Sequence, residues 1–250
     1  MKKLMAANWK MFKTLSEARD VAAALRHALG ALPVDREVLV FPPFTAIAGV
    51  VEAFAGATGL GVGGQDFYPA EEGAFTGEIA PRMLLDLGCA YGLTGHSERR
   101  HVLGESSAFV GKKTAFGLGA GLKVVLCVGE KIDEREAGKL DAVLDEQLTA
   151  GLANVPRDVA PENLAIAYEP VWAIGTGKVA GSPEILEAHA SVRKRLQEIF
   201  PSQAPKIRIL YGGSVNPQNC GQIIQLDNVD GVLVGGASLQ AESFSRIVLA

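Results

Sequence analysis

Three ionisable side chains, Lys10, His96 and Glu169, each stand just past a short apolar run, and together they could move a proton beside a carbonyl. That chemistry needs a base for the carbon-bound proton, a donor for the developing oxyanion and a positive charge near it, all meeting at one reacting centre. A carboxylate, an imidazole and an ammonium group supply these functions. Taken singly, each has a plainer explanation as a paired carboxylate, a satisfied core histidine or a solvated cation. What distinguishes them is their common placement. Asn8, Ser97 and Glu98 crowd the same run ends, and two glycine pairs, Gly212-Gly213 followed by Ser214 and Gly235-Gly236, close the last two runs. A turn without Cβ atoms lets backbone N–H groups approach an anion, which makes these pairs candidate phosphate contacts, with simple tight turns as the alternative.

Eight apolar runs must position these groups: Leu4–Ala7, Val38–Phe41, Leu60–Val62, Tyr91–Leu93, Val124–Val128, Leu164–Tyr168, Ile207–Tyr211 and Val232–Val234. Between them lie segments of helical period. One opens on Thr14, Leu15, Ser16 and Glu17, a capping-box pattern, and places Ala18, Val21, Leu25 and Leu29 on a stripe. Another opens on Ser182 as N-cap and Pro183 as first helical residue, with Ile185, Ala188, Val192, Leu196 and Ile199 recurring every three or four positions. Strands apolar on both faces and alternating with helices predict a parallel sheet covered on each side. With no linker or low-complexity tract to divide the chain, the expectation is an α/β fold, a single (β/α)8 barrel over residues 1–250, in preference to an open doubly wound sheet. In such a barrel the residues past the strand ends share one catalytic face.

Composition narrows the partners. The chain carries 24 Lys+Arg against 28 Asp+Glu, a formal net charge of −4, so a broad basic nucleic-acid surface is not expected and any anion must be gripped locally. Hydrophobic residues at 48% suffice for a large core. The longest stretch free of charged residues, Ile209–Leu226, is broken by Gly212, Gly213, Asn216 and Pro217 and cannot cross a bilayer, and the N-terminal apolar run is too short for a signal peptide. A cytoplasmic location is the expectation. Cys89, Cys127 and Cys220 lack any short spacing and read as small apolar fillers, and no histidine or cysteine spacing suggests a metal site. Gly59, Gly61 and Gly64 match a dinucleotide-binding spacing, but a polar, aromatic loop follows where a helix is required. Gly175-Thr176-Gly177-Lys178 lacks the remainder of a phosphate-binding loop motif. Instead, Pro170 to Gly181 reads as a hinged lid with an apolar tip at Ala173-Ile174-Gly175.

Longer motifs carry a family resemblance: Asn8-Trp9-Lys10-Met11, Gly73 to Glu78, Gly95-His96-Ser97-Glu98-Arg99-Arg100, Ala167 to Lys178, Tyr211 to Val215, and Val234 to Ser238. In this order, over essentially the whole chain, they resemble the triosephosphate isomerases. The resemblance implies a (β/α)8 TIM barrel that interconverts dihydroxyacetone phosphate and D-glyceraldehyde 3-phosphate without metal or organic cofactor. It implies Glu169 as the base, His96 as a neutral imidazole serving the carbonyl oxygens, and Lys10, supported by Asn8, as the oxyanion stabiliser. Main-chain amides of Gly175, Ser214, Gly235 and Gly236 would hold the phosphate, and Ser97 and Glu98 would support the catalytic groups. The long aromatic segment from Gln65 to Glu78 would dock on a second subunit, giving a homodimer with Thr76 near the partner's catalytic mouth. Two places depart from the usual family pattern: Gly181-Ser182-Pro183 follows the lid, and Phe12-Lys13 follows Met11. The rival readings are another phosphate-binding barrel enzyme, such as a Schiff-base aldolase, and a non-catalytic barrel scaffold. The first would want a lysine where Glu169 stands, and the second leaves Lys10, His96 and Glu169 unexplained.

Overall fold

The computed structural model describes residues 1–174 and 179–250, and within them every apolar run forms a strand. The strands are β1 (Lys3–Asn8), β2 (Arg36–Phe41), β3 (Leu60–Gly64), β4 (Tyr91–Thr94), β5 (Lys123–Val128), β6 (Leu164–Tyr168), β7 (Arg208–Tyr211) and β8 (Gly231–Val234). They pair in sequence order, all parallel, and β8 returns to β1 in the register Leu4↔Gly231, closing the barrel. Closure removes both sheet edges. Among the described residues the helices are α1 (Leu15–Leu29), α2 (Ile47–Phe54), α3 (Pro81–Asp86), α4 (Ser97–His101), α5 (Ser107–Gly119), α6 (Ile132–Glu136), α7 (Leu140–Leu152), α8 (Ser182–Ile199), α9 (Cys220–Ile223) and α10 (Ala241–Val248).

Apolar side chains are needed on both strand faces because each face meets a different core. Leu4, Ala6, Leu39, Phe41, Leu93, Val125, Cys127 and Leu233 fill the barrel, while Met5, Ala7, Val38, Val40, Leu126 and Val234 pack outward against the helices. Gly63 makes room for one of these fillers, since a Cβ there would lie 2.5 Å from Phe41 Cε1. A polar group seals the end of the barrel where the strands begin. Arg208 Nη1 reaches Glu37 Oε2 at 2.6 Å, Arg208 Nη2 donates to Tyr91 Oη at 2.9 Å, and Tyr91 Oη donates to Glu37 Oε1 at 2.9 Å. One partly buried triad thereby ties β2, β4 and β7 together.

The local signals for α1 hold. The Thr14 amide donates to Glu17 Oε2 at 2.7 Å, and Ala18, Ala22, Leu25 and Leu29 are buried, with Val21 partly covered beside them. The start of α8 differs from the sequence expectation by one residue. Gly181 occupies the N-cap position and its carbonyl accepts from Ile185 at 3.1 Å, so Ser182 is already helical and no side chain caps the end. Pro183 tolerates this shift because a residue in the first turn has no intrahelical use for an N–H. Cys89, Cys127 and Cys220 are all buried and free. Gly61 and Gly64 belong to β3 itself, which removes the dinucleotide-loop reading.

Candidate active site

At the C-terminal ends of the strands the barrel opens into a cavity of about 250 Å³, lined by Asn8, Lys10, His96, Glu169, Ser214, Gly235 and Gly236 among others. These candidates come from five different strand ends and meet at one mouth. A larger depression, about 870 Å³, lies at the opposite face near Lys2, His27 and Arg36, and no carboxylate lines it among the described residues. Lacking a carboxylate, it offers no counterpart to the arrangement at the strand ends.

Glu169 directly follows β6, and its amide donates to Val128 O at 2.8 Å, which fixes the backbone against β5. Its carboxylate is buried, yet Oε2 accepts from the Ser97 amide at 2.9 Å and Oε1 lies 2.9 Å from His96 Nε2. The Ser97 hydroxyl is 3.5 Å from Oε1. Burial alone would favour the protonated acid. His96, the Ser97 amide and Lys10 outweigh it together and hold the carboxyl below its ordinary value.

His96 caps α4, and its Nδ1 accepts from the Glu98 amide at 3.3 Å. An acceptor nitrogen carries a lone pair, so in this arrangement the single ring proton sits on Nε2 and points at Glu169. Burial opposes the cation, while the carboxylates of Glu169 and Glu98 favour it and leave the ring's pKa above its ordinary value.

Lys10 follows β1 in the left-handed region, at φ 52, an unusual place for a side-chain-bearing residue. Two side chains enforce that backbone. Asn8 Oδ1 accepts from the Lys10 amide at 2.9 Å, and Gln65 Nε2 donates to Lys10 O at 2.7 Å and to Phe41 O at 2.9 Å. The ammonium then reaches Glu98 Oε1 at 2.6 Å across the mouth. Beyond it, Lys13, also at positive φ, places Nζ 5.7 Å from the Trp9 ring.

The two glycine pairs turn out to differ. A Cβ on Gly212 would lie 2.9 Å from Glu169 Cγ, and one on Gly213 would lie 2.2 Å from Tyr211 Oη, so packing between the ends of β6 and β7 already demands this pair. A Cβ on Gly235 would only touch Lys10 Cε at 3.5 Å, and one on Gly236 would meet nothing within 4 Å. Open space beside Gly236 is what a ligand contact requires. Ser214 spends its hydroxyl on Ala173 O at 2.8 Å, which ties the segment after β6 to β7's end. Gly175 lies outside the described residues, as do Thr176, Gly177 and Lys178. Just before them, Val171–Ala173 forms a single 3₁₀ turn, and Trp172 Nε1 donates to the buried Glu130 at 2.7 Å. Thr76 is exposed on the long loop and does not line this cavity.

Gln65 and Glu130 were not singled out for the site from sequence. Gln65 stands one residue past β3 and obeys the same strand-end rule as Lys10, so that rule finds it. Glu130, two residues past β5, obeys that rule too, but its task, accepting from Tyr168 Oη at 3.0 Å and from Trp172, becomes visible only when β5 and β6 lie side by side.

Comparison with known sequences agrees with this geometry. A family profile described as Triosephosphate isomerase matches residues 3–250. The triosephosphate isomerase of Nitratidesulfovibrio vulgaris strain Miyazaki F is 67% identical over 252 residues, covering all of both chains. That of Oleidesulfovibrio alaskensis is 65% identical, again over all of both chains, and that of Chloroflexus aurantiacus is 48% identical over 98% of this chain and 97% of its own. With a closed eight-stranded barrel and full-length matches of this kind, the chain belongs to the triosephosphate isomerase family.

Proposed function

We propose that this enzyme interconverts dihydroxyacetone phosphate and D-glyceraldehyde 3-phosphate through an enediolate, with Glu169 as base, His96 as the proton donor to oxygen and Lys10 as oxyanion stabiliser. The observation that carries the assignment is the meeting of His96 Nε2 and Glu169 Oε1 at 2.9 Å inside a cavity that Lys10 also lines. Glu169 removes a proton from one carbon and returns it to the next. His96 donates its Nε2 proton to the carbonyl oxygen and takes one back from the neighbouring hydroxyl as that oxygen becomes the new carbonyl. When a substrate enters between ring and carboxylate, their direct contact is broken and the pull of Glu169 towards the imidazolium weakens. Burial and Lys10 both oppose the cation, and the Glu98 amide keeps Nδ1 an acceptor. A neutral imidazole close in acidity to the enediol can donate without being trapped as the ion. Lys10, held in place by Asn8 and Gln65, stabilises the oxygen's growing charge.

The phosphate is assigned to the main-chain amides of Gly175, Ser214, Gly235 and Gly236, with the open space at Gly236 as support. The lid that carries Gly175 keeps water from the enediolate, which could otherwise expel its phosphate. Ser97 and Glu98 act through their neighbours: Ser97 holds Glu169, and Glu98 orients His96 and Lys10. We read residues 1–250 as one domain, located in the cytoplasm and paired as a homodimer. Exposed Met11, Phe12, Phe75, Val102 and Leu103 give apolar surface for that pairing. Among the described residues no helix is long and apolar enough to cross a membrane.

A coupled assay that consumes dihydroxyacetone phosphate as it forms from D-glyceraldehyde 3-phosphate tests the reaction. Wild type is expected to turn over, and Glu169→Gln to lose at least about three orders of magnitude in kcat. An inactive wild type refutes the reaction, and a fully active Glu169→Gln protein refutes the base.

A further inference from the structure

The motif from Gly95 to Arg100 contains one charge that the proposed reaction does not use. Arg100 lies in α4 and is buried, with 9% of its surface exposed. Its guanidinium donates from Nε to Gly95 O at 2.8 Å, from Nη2 to Cys127 O at 3.1 Å and from Nη1 to Ser107 Oγ at 3.1 Å. All of these acceptors are neutral, and among the described residues no carboxylate pairs with Arg100 directly. Ser107 donates in turn to Glu146 Oε2 at 3.2 Å, a relay rather than an ion pair. A buried cation without a counter-ion is costly, so its retention calls for a compensating role.

Its surroundings supply one. Gly95 and Cys127 stand at the ends of β4 and β5, against the backbone that carries His96 on one side and Glu169 on the other. Cys127 pairs with Ala167, and Val128 O takes the Glu169 amide. Gly95 adopts φ 67, and a Cβ there would lie 2.7 Å from Arg100 Nη2, so the residue before His96 is shaped to admit the guanidinium. The fork spans both strand ends in a way that a single ammonium group could not.

We propose that Arg100 is a positioning residue for the isomerase reaction: its fork locks the Gly95-His96-Ser97 turn against the end of β5 and so keeps His96 and the Ser97 amide in reach of Glu169. This rests on the reading of Glu169 as the base. The groups facing Glu169 are His96 and the Ser97 amide past β4, Lys10 past β1 and the Cys127 thiol on β5, with Glu98 beyond His96 and Lys10. Glu146 on α7 and Glu105 before α5 act on Arg100 itself. Loss of Arg100 therefore weakens the support for the carboxylate without abolishing it.

The test compares Arg100→Gln and Arg100→Lys with wild type by two readouts: the carboxyl ¹³C titration of Glu169 without substrate, and kcat and KM across pH. In Arg100→Gln the Glu169 midpoint is expected to rise by about one pH unit, the acid limb of kcat/KM to move with it, and kcat to fall about tenfold with KM little changed. Arg100→Lys keeps the charge but cannot span Gly95 O and Cys127 O together, so its midpoint should also rise and its kcat fall several-fold through the loosened turn. An unmoved midpoint in Arg100→Gln or a wild-type kcat in Arg100→Lys overturns the positioning role. If Arg100→Gln does not fold, Arg100→Lys carries the test, since it keeps a buried cation while losing the fork, and the same midpoint rise is required of it. Wild-type inactivity on triose phosphates would refute the assigned reaction alone, because the carboxyl titration reads Arg100 without any turnover.

Discussion

Shortening the base by one methylene, as in Glu169→Asp, is expected to lower kcat by about two to three orders of magnitude with the fold intact. The Ser97 amide and His96 hold the carboxylate by its tip, so a shorter side chain cannot keep both contacts and reach a substrate carbon. Circular dichroism beside steady-state kinetics checks this, and a loss below tenfold would show that the position of the carboxylate is not limiting. His189 is a different buried imidazole with an opposite balance. Its Nδ1 donates to Asn228 O at 2.8 Å, its Nε2 has no hydrogen-bond partner among the described residues, and burial pulls its pKa from 6.5 down to about 4. The unfolded chain thus binds the proton more readily, and stability is lost as pH falls from 6.5 towards 4, by on the order of 3 kcal/mol in all. Replacing the ring by an apolar one, His189→Phe, should flatten that acid limb in urea-unfolding midpoints. An unchanged limb would assign it to other groups.

At the scale of elements, the segment after β3 is fastened to α4 and α5 by ions rather than by apolar packing alone. Lys113, almost wholly buried, reaches Asp66 Oδ1 at 2.6 Å and also Glu105, while Arg99 pairs with Asp66 Oδ2 at 2.9 Å and with Glu105 Oε1 at 2.7 Å. Two cations and two anions balance in one cluster. Removing one cation, Lys113→Met, leaves a buried carboxylate uncompensated and should destabilise the fold by about 3 to 5 kcal/mol at neutral pH. Thermal unfolding measures this, and a cost below about 1 kcal/mol would mean that water enters and repairs the cluster. The cluster also explains how a long loop can be held in one shape: Tyr68 and Phe75 stack at 4.3 Å between centroids, on a base fixed by Asp66.

For the whole molecule, the proposed pairing predicts twice the chain's mass in solution at micromolar concentration. Thr76 stands on the exposed loop beside Phe75, so Thr76→Arg places a large charge where the partner would sit, and the mass should fall to that of one chain. Sedimentation equilibrium reads the outcome, and a wild type that is monomeric at this concentration removes the dimer. A barrel closed from β1 to β8 leaves no open sheet edge to pair with, so association must use loops and helices.

Much of this molecule was legible in its residues because the relevant signals are local. Apolar runs on a regular spacing, caps such as Thr14 with Glu17, and polar residues at each run's end follow from backbone geometry and burial within a few positions of each other, which is why the barrel and the Lys10, His96 and Glu169 set could be read. Tertiary structure decided what depends on approach between distant strands: the left-handed Lys10 held by Gln65, the packing reason for Gly212 and Gly213, and the buried Arg100 joining β4 to β5. Linear spacing encodes which face a side chain takes, but distances of 2 to 3 Å between remote segments are set only when the closed sheet brings them together.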